Sequence, residues 1–297
     1  MTLQPVAEVL SNSVPRIKRE EQSPAAKSAA YECELCRDEC VVAVDIATGE
    51  EYPVGDMRLW DEEKQAWRPH HFRECICVER RRMAKLLKSS QIPERYRDVG
   101  FRGFRVQGRP KCVREARDAA LEYYQRFHEI RKTDANSIAI VGPPGSGKTH
   151  LLMAIANGLM RLGISVLYFP WVEGMEELRS DWDGLQARLD AMRQVDVLYI
   201  DDLYKGRETP TGFAREKIYG IINYRYSNRL PMMVSSELSF DDLFVVDAGI
   251  ARRIWQPSKG FQVQMGLTPE EEAAGMELNY SLVVGREVET DGGRDNG

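Results

Sequence analysis

No apolar run in this 297-residue sequence is long enough to cross a membrane. Stretches such as Val195–Ile200 end well short of the ~18 to 20 residues a helical span requires. Residues 1–24 lack an apolar segment followed by a cleavage site, so no secretory leader is expected and the expected location is the cytoplasm. Internal repeats are missing, which sets aside repeat architectures. Cysteine is sparse, with six residues, and without a sign of export a disulfide framework is the weaker reading of them. A dominant charge sign is lacking too: 41 Lys and Arg against 46 Asp and Glu leave a net charge of −5, which argues against indiscriminate coating of nucleic acid.

What is present is ordinary for a globular protein. Apolar residues make up 43% and charged residues 29%, and the length allows roughly two domains, each with its own core. The mean charge hides a segregation. Residues 78–132 hold 16 Lys and Arg against 7 Asp and Glu, a candidate polyanion surface, whereas residues 266–297 hold 8 acids against 2 arginines. Composition divides the chain into a flexible arm over 1–30, a cysteine-bearing module with a basic helix over 31–89, an α/β domain over 90–263 and an acidic flexible tail over 264–297. Ile92-Pro93 breaks the helical pattern between the second and third of these.

The first chemical signal is cysteine spacing. Cys33-x-x-Cys36 and Cys75-x-Cys77 form two short chelating pairs, suited to present four thiolates to one tetrahedral ion at ~2.3 Å per bond. Zinc is the expected ion, because a module of this size and composition needs stability from outside its own core. Cys40, His70 and His71 are rival ligands, and four unpaired cytosolic thiols are the bland alternative. Cys112 falls on an expected helix and reads as a packing residue.

The second signal is stronger. The apolar run Ser137–Val141 leads directly into Gly142-Pro143-Pro144-Gly145-Ser146-Gly147-Lys148-Thr149, and a helical pattern through Leu151, Leu152, Ile155, Ala156 and Leu159 follows. Strand, P-loop and helix in this order make a phosphate cradle: glycines let backbone N–H groups converge, and the helix N-terminus adds positive potential. Lys148 is expected to neutralise the β- and γ-phosphates of ATP and Thr149 to ligate magnesium. A second apolar run, Val195–Ile200, ends in Asp201-Asp202. Asp201 is the expected magnesium-side carboxylate, and Asp202 the group that orients or deprotonates water. With further strand-like runs at Ile164–Phe169 and Leu230–Ser235, the fold class is α/β, a parallel sheet flanked by helices.

These residues, with Thr211–Lys217, Ile221–Tyr226 and Leu230-Pro231, resemble the AAA+ ATPase domain of bacterial and phage DnaC/DnaI-type helicase loaders. The cysteine pairs, the Arg80-Arg81-Arg82 helix and Ile92-Pro93-Glu94-Arg95-Tyr96 leading to Phe101 and Phe104 extend the resemblance over residues 31–263. It implies an ATPase of a bacterial cell or phage-infected host, using ATP, Mg2+ and Zn2+, that assembles with itself when ATP is bound. The implied partners are a DnaB-type replicative helicase and single-stranded DNA, with no membrane.

The resemblance also implies site residues. Ala251-Arg252-Arg253-Ile254 is similar to the arginine-finger segment, with Arg253 reaching a neighbouring subunit's γ-phosphate and Arg252 as its rival. Glu208 is similar to an acidic position supporting the site. Ser235-Ser236-Glu237 stands where the family usually has Thr-Ser-Asn, so Ser235 or Ser236 would sense phosphate, and Glu237 would repel it unless paired with a cation. Residues 204–207 include two apparent insertions, and no C-terminal lid is recognisable. Residues 171–192 read as paired amphipathic helices lining a single-strand channel, where Trp171, Arg179, Trp182 and Arg188 are candidates for stacking and phosphate contact, with core packing the alternative for both tryptophans.

Three functions follow: loading of a replicative helicase onto single-stranded DNA, assembly on DNA as a transposition helper, and small-molecule phosphorylation. The cysteine pairs favour the first over the second. The Asp-Asp strand, the arginine segment and the basic region argue against the third.

Overall fold

A computed structural model describes residues 31–206 and 210–280, in two units divided between Cys77 and Val78. The expected arm over 1–30, Glu208, and residues 281–297 of the expected tail lie outside the described residues. In the N-terminal unit, β1 (Val41–Asp45) is the centre of an antiparallel sheet, between β2 (Glu51–Pro53) and β5 (His70–Glu74). Asp45 closes the first hairpin by accepting from the Ala47 and Thr48 amides at 2.7 and 3.3 Å, an Asx turn at the expected Thr48-Gly49 position. The short ribbon of β3 (Trp60–Asp61) and β4 (Ala66–Trp67) completes the strands. Among the described residues of this unit, Ala43, Tyr52 and Leu59 form a hydrophobic cluster and Val42 and Val44 are also buried, a small core to stabilise a domain by burial alone.

Helix α1 (Ile76–Ser90) spans the division, and in the second unit its Met83, Leu86 and Leu87 pack on the main core. It stops where Ser90 turns its hydroxyl onto Leu87 O and receives the Ile92 amide, just before Pro93. Helix α2 (Lys111–Ile130) precedes β6 (Ile138–Val141), α3 (Lys148–Arg161), β7 (Val166–Pro170), α4 (Trp171–Ser180), α5 (Leu185–Gln194) and β8 (Val197–Asp201). Then come α6 (Gly212–Ser227), β9 (Met232–Ser236), α7 (Phe240–Trp255), β10 (Gln262–Gln264) and α8 (Pro269–Ala273). All five strands are parallel, in the order β10-β6-β9-β8-β7. The sheet is covered on both faces, which is why its strands are unbroken apolar runs: Ile138 and Ile140 of β6 join one core, Ala139 and Val141 the other.

This order sets β9 between β6 and β8, so the chain leaving β6, where the P-loop begins, lies near the acidic end of β8. Arg225 of α6, fully buried, fastens the opposite end of the sheet, donating to the carbonyls of Met192, Arg193, Val195, Asp196 and Pro231 at 2.8 to 3.1 Å. Four strands coincide with the apolar runs read from the sequence. The fifth, β10, does not, and the chain beyond it is not simply solvated: the Met265 amide bonds Val141 O at 2.7 Å, and Met265 and Leu278 are buried.

Candidate functional site

In the N-terminal unit, Cys33, Cys36, Cys75 and Cys77 bring their sulfurs within 4.8 Å of one another. The Cys33–Cys75 and Cys36–Cys77 Sγ separations are 3.7 and 3.4 Å, and ~2.3 Å bonds to a tetrahedral zinc require edges of about 3.8 Å. The donor set therefore fits zinc. The backbone N–H of Cys36 lowers the Cys33 thiol to about 7, while burial pushes those of Cys75 and Cys77 up. Cys40, directed at Asp38 O, and His70, bonded to Arg68 O, lie outside the cluster, as does the exposed His71. These rivals are thereby displaced. Cys112 is buried on α2, and no cysteine forms a disulfide.

The P-loop runs from Gly142 to Thr149 between β6 and α3. Gly145 and Gly147 have φ of 74° and 106°, a region open to glycine, and a side chain at Gly147 would meet the Phe104 ring at 2.6 Å. Lys148, buried, donates to the carbonyls of Gly142 and Pro143 at 2.8 and 2.9 Å, which folds its ammonium back over the loop. Burial lowers its pKa against the opposing pull of Asp202, Glu237 and Asp201.

Asp201 gathers hydroxyls. It accepts from Ser235 at 2.5 Å, Tyr199 at 2.8 Å, Tyr168 at 3.0 Å and Thr149 at 3.2 Å, yet burial still raises its pKa. The Thr149 and Asp201 oxygens thus stand 3.2 Å apart, two hard donors of the kind a divalent cation takes. Ser235 also receives the Asp202 amide at 2.8 Å, and Ser236 donates to Leu203 O at 2.8 Å. Of this serine pair, Ser235 touches the acidic end of β8 through its side chain, whereas Ser236 braces the following corner. The expected repulsion from Glu237 has its cation: Lys205 Nζ lies 2.7 Å from Glu237 Oε1 and 2.8 Å from Asp202 Oδ2.

On α7, Arg253 donates from Nε to Asn223 Oδ1 at 2.8 Å and from Nη1 to Gly249 O at 2.9 Å, its guanidinium over the Tyr219 ring at 4.9 Å. Its neighbour Arg252 is exposed. In the α4–α5 pair Trp171 is a core residue against Tyr204, while Trp182 is 71% exposed. Arg179 bonds the Thr211 hydroxyl at 2.8 Å and Arg188 pairs with Glu177 at 2.6 Å.

Four site residues escaped the sequence reading. Tyr199 had a signal, standing two before Asp201 and so on the same face of β8. Tyr168, Lys205 and Arg109 had none. Buried Arg109 donates to Ser146 O at 3.2 Å and Leu278 O at 2.5 Å, while Tyr280 donates its amide to Gly145 O at 3.0 Å. The segment after α8 therefore lies on the phosphate loop.

The family described as IstB-like ATP binding protein matches residues 72–253. The uncharacterized protein YqaM of Bacillus subtilis (strain 168) is 34% identical over 285 residues, 88% of this chain and 89% of that one. The phage-like element PBSX protein XkdC of the same strain is 40% identical over 212 residues, 70% and 77% of the two chains. The replicative helicase loader DnaC of Buchnera aphidicola subsp. Baizongia pistaciae (strain Bp) is 28% identical over 198 residues, 63% and 76% of the two.

Proposed function

Because the chain belongs to the IstB-like ATP-binding protein family, within the DnaC/DnaI clade of AAA+ ATPases, we propose that ATP held at its P-loop drives assembly of several copies on DNA. The observation that carries this reading is the convergence of Lys148, Thr149, Asp201 and Asp202 at the ends of β6 and β8. Lys148 exchanges the carbonyls of Gly142 and Pro143 for phosphate oxygens, and the loop amides take the rest. Thr149 and Asp201 hold Mg2+, which supplies neutralisation of the phosphate charge. Asp202 orients water for hydrolysis, and Ser235 keeps Asp201 in place. Arg253 of one copy serves the γ-phosphate of the next, with the exposed Arg252 as its rival. The basic stretch over 78–132 and the exposed Trp182 are the surfaces offered to DNA. Cys33, Cys36, Cys75 and Cys77 hold Zn2+ as a structural ion.

Two clients fit this engine. The family match supports a transposition helper that assembles on DNA. A separate observation supports helicase loading: the four-cysteine cluster includes Cys33 and Cys36, outside the matched region, and would serve as a grip separate from the ATPase unit. Size-exclusion chromatography with light scattering separates the two. A complex with a hexameric replicative helicase, lost on Cys75→Ser, supports loading; no complex, with ATP-dependent filaments on DNA, supports the helper. Neither complex nor filaments would refute both.

A further inference from the structure

Between β8 and α6 the chain makes a corner of unusual backbone. Asp202 and Tyr204 have φ of 54° and 66°, values that non-glycine residues adopt rarely and at a cost. The corner holds because it is pinned at several points: the Asp202 amide to Ser235 Oγ and the Leu203 amide to Ser235 O, both at 2.8 Å, Ser236 Oγ to Leu203 O, and the Lys205 amide to Asp202 O at 3.0 Å. Its effect is to turn Lys205 back, so that one ammonium serves the carboxylates of both Asp202 and Glu237. These groups adjoin the phosphate site by geometry: Asp202 follows directly on Asp201, to which the P-loop Thr149 donates, and Glu237 stands two residues after Ser235, which receives the Asp202 amide.

A triphosphate brought to Lys148 meets three carboxylates, those of Asp201, Asp202 and Glu237. Asp201 has a cation to bind, but Glu237 has no such use, and its bare charge would push the Asp202 carboxylate from its place. We infer that Lys205 is a positioning residue for ATP hydrolysis, cancelling Glu237 and holding the Asp202 carboxylate where it meets the attacking water. The inference rests on the reading above that ATP is hydrolysed at this P-loop. Lys205 is 42% exposed on its side chain, so the ion pairs contribute little to folding and their weight falls on turnover.

The test is steady-state ATP turnover with titration of a fluorescent ATP analogue, on the full chain. Lys205→Met should lower kcat at least about tenfold with KM moved less than about threefold, and Lys205→Arg should restore most of it. The double variant Lys205→Met with Glu237→Gln should turn over faster than Lys205→Met alone, because the charge to be cancelled has gone. A structural role would not give that rescue. Wild-type kcat in Lys205→Met, or no gain in the double variant, overturns the inference while leaving the ATPase reading intact. A wild type that turns over no faster than Lys148→Ala overturns the ATPase reading and this inference with it.

Discussion

At the scale of single residues, the nucleotide site keeps its two buried charges, Lys148 and Asp201, occupied until a ligand arrives, while the buried Ser146 hydroxyl of the same loop has no partner among the described residues. Lys148 rests on two carbonyls of its own loop and Asp201 on four hydroxyls, so neither is an orphaned charge in a low-dielectric setting. Lys148→Ala should weaken ATP binding at least about tenfold, in line with the ~1.5–3 kcal/mol of a hydrogen bond to a charged group, and leave zinc content unchanged. Titration with a fluorescent nucleotide, alongside elemental analysis, checks both halves. Asp202→Asn keeps the size of the side chain but not its basicity. It should bind ATP within about threefold of wild type, lose about 10²-fold or more in turnover, and remain assembled after ATP is added; equal turnover by the two proteins would contradict the role given to Asp202.

At the scale of elements, legibility followed length and burial. β6, β8 and β9 announce themselves because both faces of a covered parallel strand must be apolar, and the motif residues are fixed by where those strands end. β10 is three residues, Gln262-Val263-Gln264, with only Val263 buried, a pattern no different from a loop until β6 is there to pair with it. Trp171 and Trp182 show the same limit: eleven residues apart in one insertion, the first opens α4 and is covered by Tyr204 from the corner after β8, while the second falls in the turn between α4 and α5 and stays exposed. Arg225 belongs to the sequence pattern that suggested the family, but its reason is tertiary. It satisfies five carbonyls where α5, β8 and β9 meet, so Arg225→Met should destabilise the nucleotide-binding unit by about 3 kcal/mol or more, read from the denaturant midpoint of the full chain.

At the scale of the whole molecule, the two units are stabilised by different means. The C-terminal unit has two large cores on one sheet, whereas the described residues of the N-terminal unit hold a small cluster about Ala43, Tyr52 and Leu59, the buried Val42 and Val44, and a set of thiols. Cys75→Ser should therefore release zinc and unfold the N-terminal unit while ATP affinity stays within about twofold, measured by elemental analysis and nucleotide titration. Retained metal in that variant would contradict the four-thiolate site. The C-terminal unit, for its part, folds the chain after α8 back on itself: Tyr280 hydrogen-bonds Gly145, and Arg109 ties Leu278 to Ser146. Nucleotide affinity is consequently sensitive to residues far outside the motif. A protein cut before Leu278 would leave Arg109 and the Gly145 carbonyl without these partners, and would bind ATP differently before any residue of the catalytic machinery had been altered.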